Sequence, residues 1–328
     1  MLVRVFKQNQ PAVLFLLVLV VPLLWPGSAP DAAIGAFRFR EGMPLYRLLA
    51  PIWTGPWWVQ WLVGVLLTSG TALLLDRLSN EAELFERRNH LPALLFPLVL
   101  ALGPSGSWPD PALFGLPWVL WSFFRCWSVQ GRSSALGRLF DAGLLLGIAS
   151  LWYMPYLFLV VVIWASVSVM RPFSWREHVL PVLGLCIPMF LCWGVLEVAG
   201  SDAWHPIATA RDHQLLGSSA PRSWILKAVG GVVLLPLALA SVLAFAAVYQ
   251  RSIMREKNVR SAFLAAFLVM AVLIGFEWSL NRTFPSVLMA MPVSVLFTYG
   301  LLRMARTWLA EVGVALLFGL ALWARWAA

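Results

Sequence analysis

Charge is scarce in this chain: Asp, Glu, Lys and Arg together make up 12% of its 328 residues, about half the share of an ordinary soluble protein. So few charges cannot cover one or two soluble domains, and 61% hydrophobic residues with a mean hydropathy of +0.81 exclude that class. Cysteine is scarce as well. Cys126, Cys186 and Cys192 stand in apolar surroundings with no CxxC spacing and no neighbouring histidine, which excludes a disulfide framework and a zinc site. The chain also lacks a Walker-type phosphate loop, an HExxH and a Gly-x-Ser-x-Gly. An ATPase, a zinc protease and a serine hydrolase therefore have no basis. No apolar run carries a series of ionisable groups at mid-depth, which argues against a proton-driven pump. Neither a cofactor nor a metal is implied.

What is present is a succession of apolar runs. Eleven are read near 11–26, 57–75, 91–103, 112–124, 137–152, 155–170, 179–199, 224–249, 261–279, 286–302 and 307–324, against the roughly 20 residues that cross a hydrocarbon core of about 30 Å. The expected architecture is all-α: one polytopic membrane domain over residues 1–328, with about eleven transmembrane helices. Tyr153-Met154-Pro155 is expected as a tight hairpin at one membrane face. Arg4 and Lys7 before an apolar stretch resemble a signal peptide, but the run is expected as an uncleaved first span.

The formal net charge of +9 would suggest nucleic acid in a soluble protein. Here its distribution suggests orientation instead. With the N-terminus cytoplasmic, sixteen of the 24 Lys and Arg residues fall on the inner side and eight on the outer side, the bias expected of a bacterial inner-membrane protein. Nucleic acid is not an expected partner; membrane lipid is. Many of the 19 tryptophans lie near proposed span ends, among them Trp53, Trp57, Trp58 and Trp61, as an aromatic belt would place them.

Two expected outer loops, 27–56 and 200–223, exceed what a helical connection needs, and such loops tend to carry function. The first holds Asp31, Arg38, Arg40 and Glu41, then a stretch whose Met43, Leu45, Leu48 and Leu49 are expected to face lipid. The second holds Asp202, His205, Arg211, Asp212, His213 and Arg222. Arg presents a planar fork to phosphate oxygens and His exchanges protons near neutrality, so this set can supply a phosphate clamp and an acid/base. A solvated loop with a local Arg–Asp pair is the plainer reading. Asp31 or Glu41 could take a proton from an acceptor hydroxyl, and Asp110 and Glu277 are further carboxylates on the same side.

Other features point to packing. Gly143 and Gly147 form a GxxxG that permits close helix approach. Residues 80–90 place Glu83 four before Arg87, as a short surface helix would. Asp141 is expected to pair with Arg138, and Asn281-Arg282-Thr283 matches a glycosylation acceptor.

The stretch Asn89-His90-Leu91-Pro92, then Trp108-Pro109-Asp110-Pro111, then Asp141 through Gly147 to Trp152-Tyr153-Met154-Pro155 resembles the middle of polytopic glycosyltransferases of the C-type fold. Met154-Pro155 stands where those enzymes carry a Lys or another polar residue. With Arg171-Pro172-Phe173-Ser174-Trp175-Arg176-Glu177, Gly184 and Pro188, the chain also resembles an uncharacterised family of multi-pass inner-membrane proteins of Bacteroidota. The C-type resemblance implies transfer of a sugar from a polyprenyl-phosphate donor at the outer face. It implies Glu41 or Asp31 as the base, with Arg38, Arg40, His205, Arg211, His213 and Arg222 around the phosphate. Two readings stand beside it: a scaffold or accessory subunit with envelope protein partners, and a lipid or small-molecule transporter.

Overall fold

The computed structural model describes residues 15–25, 43–49, 55–103, 110–131, 135–200, 224–281, 285–304 and 307–326, with Phe6 and Ile52. All regular structure among the described residues is helical. In chain order the helices are α1 (Phe15–Leu24), α2 (Pro44–Arg47), α3 (Trp57–Glu81), α4 (Leu91–Leu102), α5 (Pro111–Trp127), α6 (Leu136–Ser150), a 3₁₀ turn (Met154–Leu159), α7 (Val160–Met170), α8 (Trp175–Val198), α9 (Trp224–Arg251), α10 (Met254–Asn281), α11 (Ser286–Arg303) and α12 (Thr307–Trp326).

Each of the eleven apolar runs coincides with helix, but the expected number of full crossings is corrected. Six helices among the described residues are long and apolar enough to cross a membrane: α3, α8, α9, α10, α11 and α12. The others are shorter. The 12 residues of α4 reach only about 18 Å at 1.5 Å each, and apolarity read along a sequence does not reveal where a helix stops. The chain is therefore a multi-pass helical membrane protein in which short helices pack among long ones.

In α11 nearly every residue from Ser286 to Leu301 is buried, which makes it the central helix, packed against α4 and α9. By contrast α8 leaves Leu183, Phe190, Leu191 and Val195 on the outside, as a helix facing lipid should. Prolines lie inside several helices, including Pro97, Pro117, Pro181, Pro188, Pro236 and Pro292. Neighbouring helices re-satisfy the backbone groups that such prolines free in a bilayer.

The GxxxG reading holds. A Cβ at Gly143 would run into the Pro181 carbonyl, one at Gly147 into the Leu185 carbonyl, and one at Gly184 into the Phe140 carbonyl. Helices α6 and α8 thus cross backbone to backbone, which only glycine at these positions allows.

Residues 82–90 correct another expectation. The helix ends at Glu81 and no surface helix follows. Glu83 adopts a left-handed φ of 55°, and its carboxylate meets Arg255 at 3.6 Å. The segment then runs as a strap beneath the bundle. Its Leu84 carbonyl accepts from Arg260 Nε at 3.2 Å and from the Tyr299 hydroxyl. Arg260 is 1% exposed, and it also donates to Ser252 Oγ and, at 2.9 Å, to Glu256. Asn80 and Asn89 bond reciprocally at 3.0 and 3.1 Å, and His90 Nδ1 lies 2.8 Å from Asp76 Oδ2, both groups buried. The two donors to Leu84 come from 176 and 215 positions away, whereas the bonds of Arg260 to Ser252 and Glu256, between Asn80 and Asn89 and between Asp76 and His90 span 14 positions or fewer. Arg138, expected beside Asp141, donates to the carbonyl and hydroxyl of Ser128.

Candidate functional site

The opposite end of the bundle is built differently. Asp110 caps α5: its Oδ1 accepts from Ala112 N–H at 3.0 Å, and Pro111 follows in the first turn. Tyr156, fully buried, donates to the Ala112 carbonyl at 2.6 Å and so ties the 3₁₀ turn to the start of α5. Between α6 and that turn lies Tyr153, half-buried, its ring 5.3 Å from that of Tyr156 in an edge arrangement. The Tyr153 hydroxyl donates to Glu277, near the end of α10. Burial, and then the charges of Glu277 and Asp110, push the Tyr153 phenol well above its ordinary value. Tyr153 is consequently a neutral hydrogen-bond donor at physiological pH, bonded to Glu277 of α10 and within the field of Asp110 at the start of α5.

The described part of the first long loop docks on this end. Met43 is fully buried against Leu151, and Leu45 N–H donates to the Leu151 carbonyl at 3.4 Å. The Tyr46 ring meets Phe114 edge-on at 6.0 Å, and Phe114 stacks on Trp152 at 5.3 Å. This corrects the expectation that Met43 and Leu45 face lipid. Their partners are the hairpin at 151–154 and α8, and Leu48 is the residue that stays outside, at 72% exposure. The cause is local: α2 is one turn long and Tyr46, three positions after Met43, turns the same face inward.

Beside Glu277, helices α10 and α11 leave a groove of about 530 Å³ lined by Phe267, Ala271, Ile274, Gly275, Trp278, Met289 and Pro292. No lining residue is charged. Its volume lies within the range of small-molecule sites, and its wall residues Ala271, Gly275, Trp278 and Met289 are exposed.

The residues singled out in the sequence as base and phosphate clamp, Asp31, Glu41, Arg38, Arg40, His205, Arg211, His213 and Arg222, lie outside the described residues, as does the Asn281-Arg282-Thr283 pattern beyond its first position. Of Asp110 and Glu277, read only as carboxylates of the same side, Glu277 accepts from Tyr153 and Asp110 acts on the same phenol through its charge. Tyr153 was legible as a hairpin residue and not as the meeting point. Its signal, a tyrosine in a turn facing two outward acids, exists only once the helices are assembled. Among the described residues no group of three or more His, Cys, Asp or Glu side chains gathers as for a metal ion.

Residues 58–325 match the family model described as "Family of unknown function (DUF6427)". No curated protein matches the chain. Among solved structures, the apo form of the Archaeoglobus fulgidus oligosaccharyltransferase is similar with a TM-score of 0.49 and 12% identity, over 96% of this chain and 54% of that one. The chain thus spans about half the length of that enzyme.

Proposed function

We propose that this chain, which belongs to the DUF6427 family, is a membrane-embedded glycosyltransferase-like protein. It acts on a polyprenyl-phosphate-linked sugar at the outer face of the inner membrane. The observation that carries the reading is the hydrogen bond of the Tyr153 hydroxyl to Glu277, within the field of Asp110, at one end of a multi-pass helical bundle. Acids and a neutral phenol, half-buried and fed by rigid helices, are the groups that hold sugar hydroxyls. The orientation comes from the Lys and Arg bias, which puts the Arg260 end inside and Tyr153 outside.

In this reading Glu41 or Asp31 takes the proton of the acceptor hydroxyl. The acceptor oxygen bonds to the anomeric carbon as the bond from that carbon to the phosphate oxygen breaks, and polyprenyl phosphate leaves with the electron pair. Arg38, Arg40, Arg211, His213 and Arg222, with His205, meet the growing negative charge on phosphate. Asp110, Tyr153 and Glu277 position the sugar.

The test is transfer from a polyprenyl-phosphate sugar by the purified chain. Loss of the base should lower kcat by about 10²-fold or more in Glu41→Gln or Asp31→Asn, and Glu277→Gln should raise KM. Full activity in all three variants refutes the assignment. Stoichiometric recovery of a partner protein in mild detergent, together with no transfer, would instead support an accessory subunit.

A further inference from the structure

A helix as short as α2 does not hold itself together. Its turn is closed by Arg47 N–H to the Met43 carbonyl at 3.1 Å and Leu48 N–H to the Pro44 carbonyl at 3.4 Å, and no side chain caps its start. A single helical turn is unfavourable on its own, so α2 exists because of what it touches. Met43, fully buried, seats on Leu151, with Met189, Cys192 and Leu196 of α8 packed against the pair. Tyr46, buried as well, continues the contact through Phe114 to Trp152. Leu151, Trp152 and Tyr153 are consecutive, and each holds a different part of the molecule: Leu151 the helix α2, Trp152 the Phe114 ring of α5, and Tyr153 the Glu277 carboxylate of α10. Trp152 and Tyr153 both donate their N–H to the Ala149 carbonyl at 3.1 Å, which fixes the three residues as one unit to the end of α6.

We propose that α2 is a clasp coupled to the Tyr153 site: its seating on Leu151 holds Tyr153 on Glu277, and loss of the Tyr153–Glu277 bond unseats the helix. The inference rests on the site proposed above and deepens it by naming what regulates that site, the described part of the first long loop. Such coupling is reciprocal, because a contact that favours one arrangement of the hairpin is favoured by that arrangement to the same extent. A ligand that takes the Glu277 carboxylate from Tyr153 is therefore felt at α2, and release of α2 frees the acid for a ligand. The two effects meet in the three-residue unit 151–153, with Leu151 at one end of it and Tyr153 at the other.

Amide hydrogen exchange of the full chain in nanodiscs reads both ends of the coupling and requires no turnover. Met43→Ala empties the seat without touching the phenol, and exchange of the amides of 277–280 should rise about fivefold, the lower end of typical coupling between sites. Tyr153→Phe removes one hydroxyl and keeps the ring, and exchange of the Arg47, Leu48 and Leu49 amides should rise by a like factor. Leu48→Ala, at the exposed position of the same helix, should leave 277–280 unchanged. If Met43→Ala does not fold, Tyr153→Phe decides alone, since it tests the same coupling from the other end. Each variant loosening only its own segment would overturn the proposal, as would acceleration that extends to the strap at 82–90. The two readings fail separately: reciprocal exchange without any sugar transfer keeps the clasp and sinks the transferase, and transfer with uncoupled exchange does the reverse.

Discussion

The two ends of the bundle use polar groups in opposite ways. At the Arg260 end they are spent on one another: the Leu84 carbonyl takes two donors, Asn80 and Asn89 bond reciprocally, and Asp76 holds His90 in a buried contact. At the Tyr153 end two carboxylates sit at half-buried positions instead. Asp110 caps its own helix, and Glu277 accepts from the Tyr153 phenol, both acids half-buried. A buried hydrogen-bond network ties together the segments it joins, whereas half-buried acids at a bundle end lie within reach of a ligand. The comparison teaches where to look for stability and where for chemistry.

Substitutions should separate the two. The largest loss of stability is expected for Arg260→Met, which removes the bonds to Leu84, Ser252 and Glu256 and should cost about 3 kcal/mol, read as a lowered unfolding midpoint in detergent. His90→Leu comes next, at about 2 kcal/mol, because it leaves the Asp76 carboxylate buried with its closest partner gone. Tyr299→Phe should cost about 1 kcal/mol. Combined with Arg260→Met it should cost less than the sum, since both groups donate to Leu84 and the survivor holds the strap alone. Tyr153→Phe should move the midpoint least, by under about 1 kcal/mol, yet lower sugar transfer more than any of the others. A Tyr153→Phe variant that unfolds as readily as Arg260→Met would erase the contrast.

Much of the fold can be read from residue order. Every apolar run became helix, because unbroken apolarity leaves the backbone no partner but itself in a bilayer, and Gly143 and Gly147 met a neighbour as their spacing implied. The number of full crossings could not be read, since α4, α5, α6 and α7 are apolar but short, enclosed by longer helices. The strap was misread for a related reason. Glu83 and Arg87 have helical spacing, but the residues that decide the conformation are Arg260 and Tyr299, some 176 and 215 positions away. The candidate site was half legible: its acids could be assigned to one side by counting spans, whereas the bond of Tyr153 to Glu277 depends on how α10 and the 150s hairpin are placed in three dimensions.

Those long separations bear on how the molecule is made. The strap leaves the ribosome early, and its Leu84 carbonyl has no side-chain donor until α10 and α11 have followed it into the membrane. Contacts of such range close late, after the intervening chain has been threaded and packed. The strap therefore closes only after α10 and α11 have packed, and a chain cut before Arg260 would leave Leu84 without the guanidinium and phenol that fasten it.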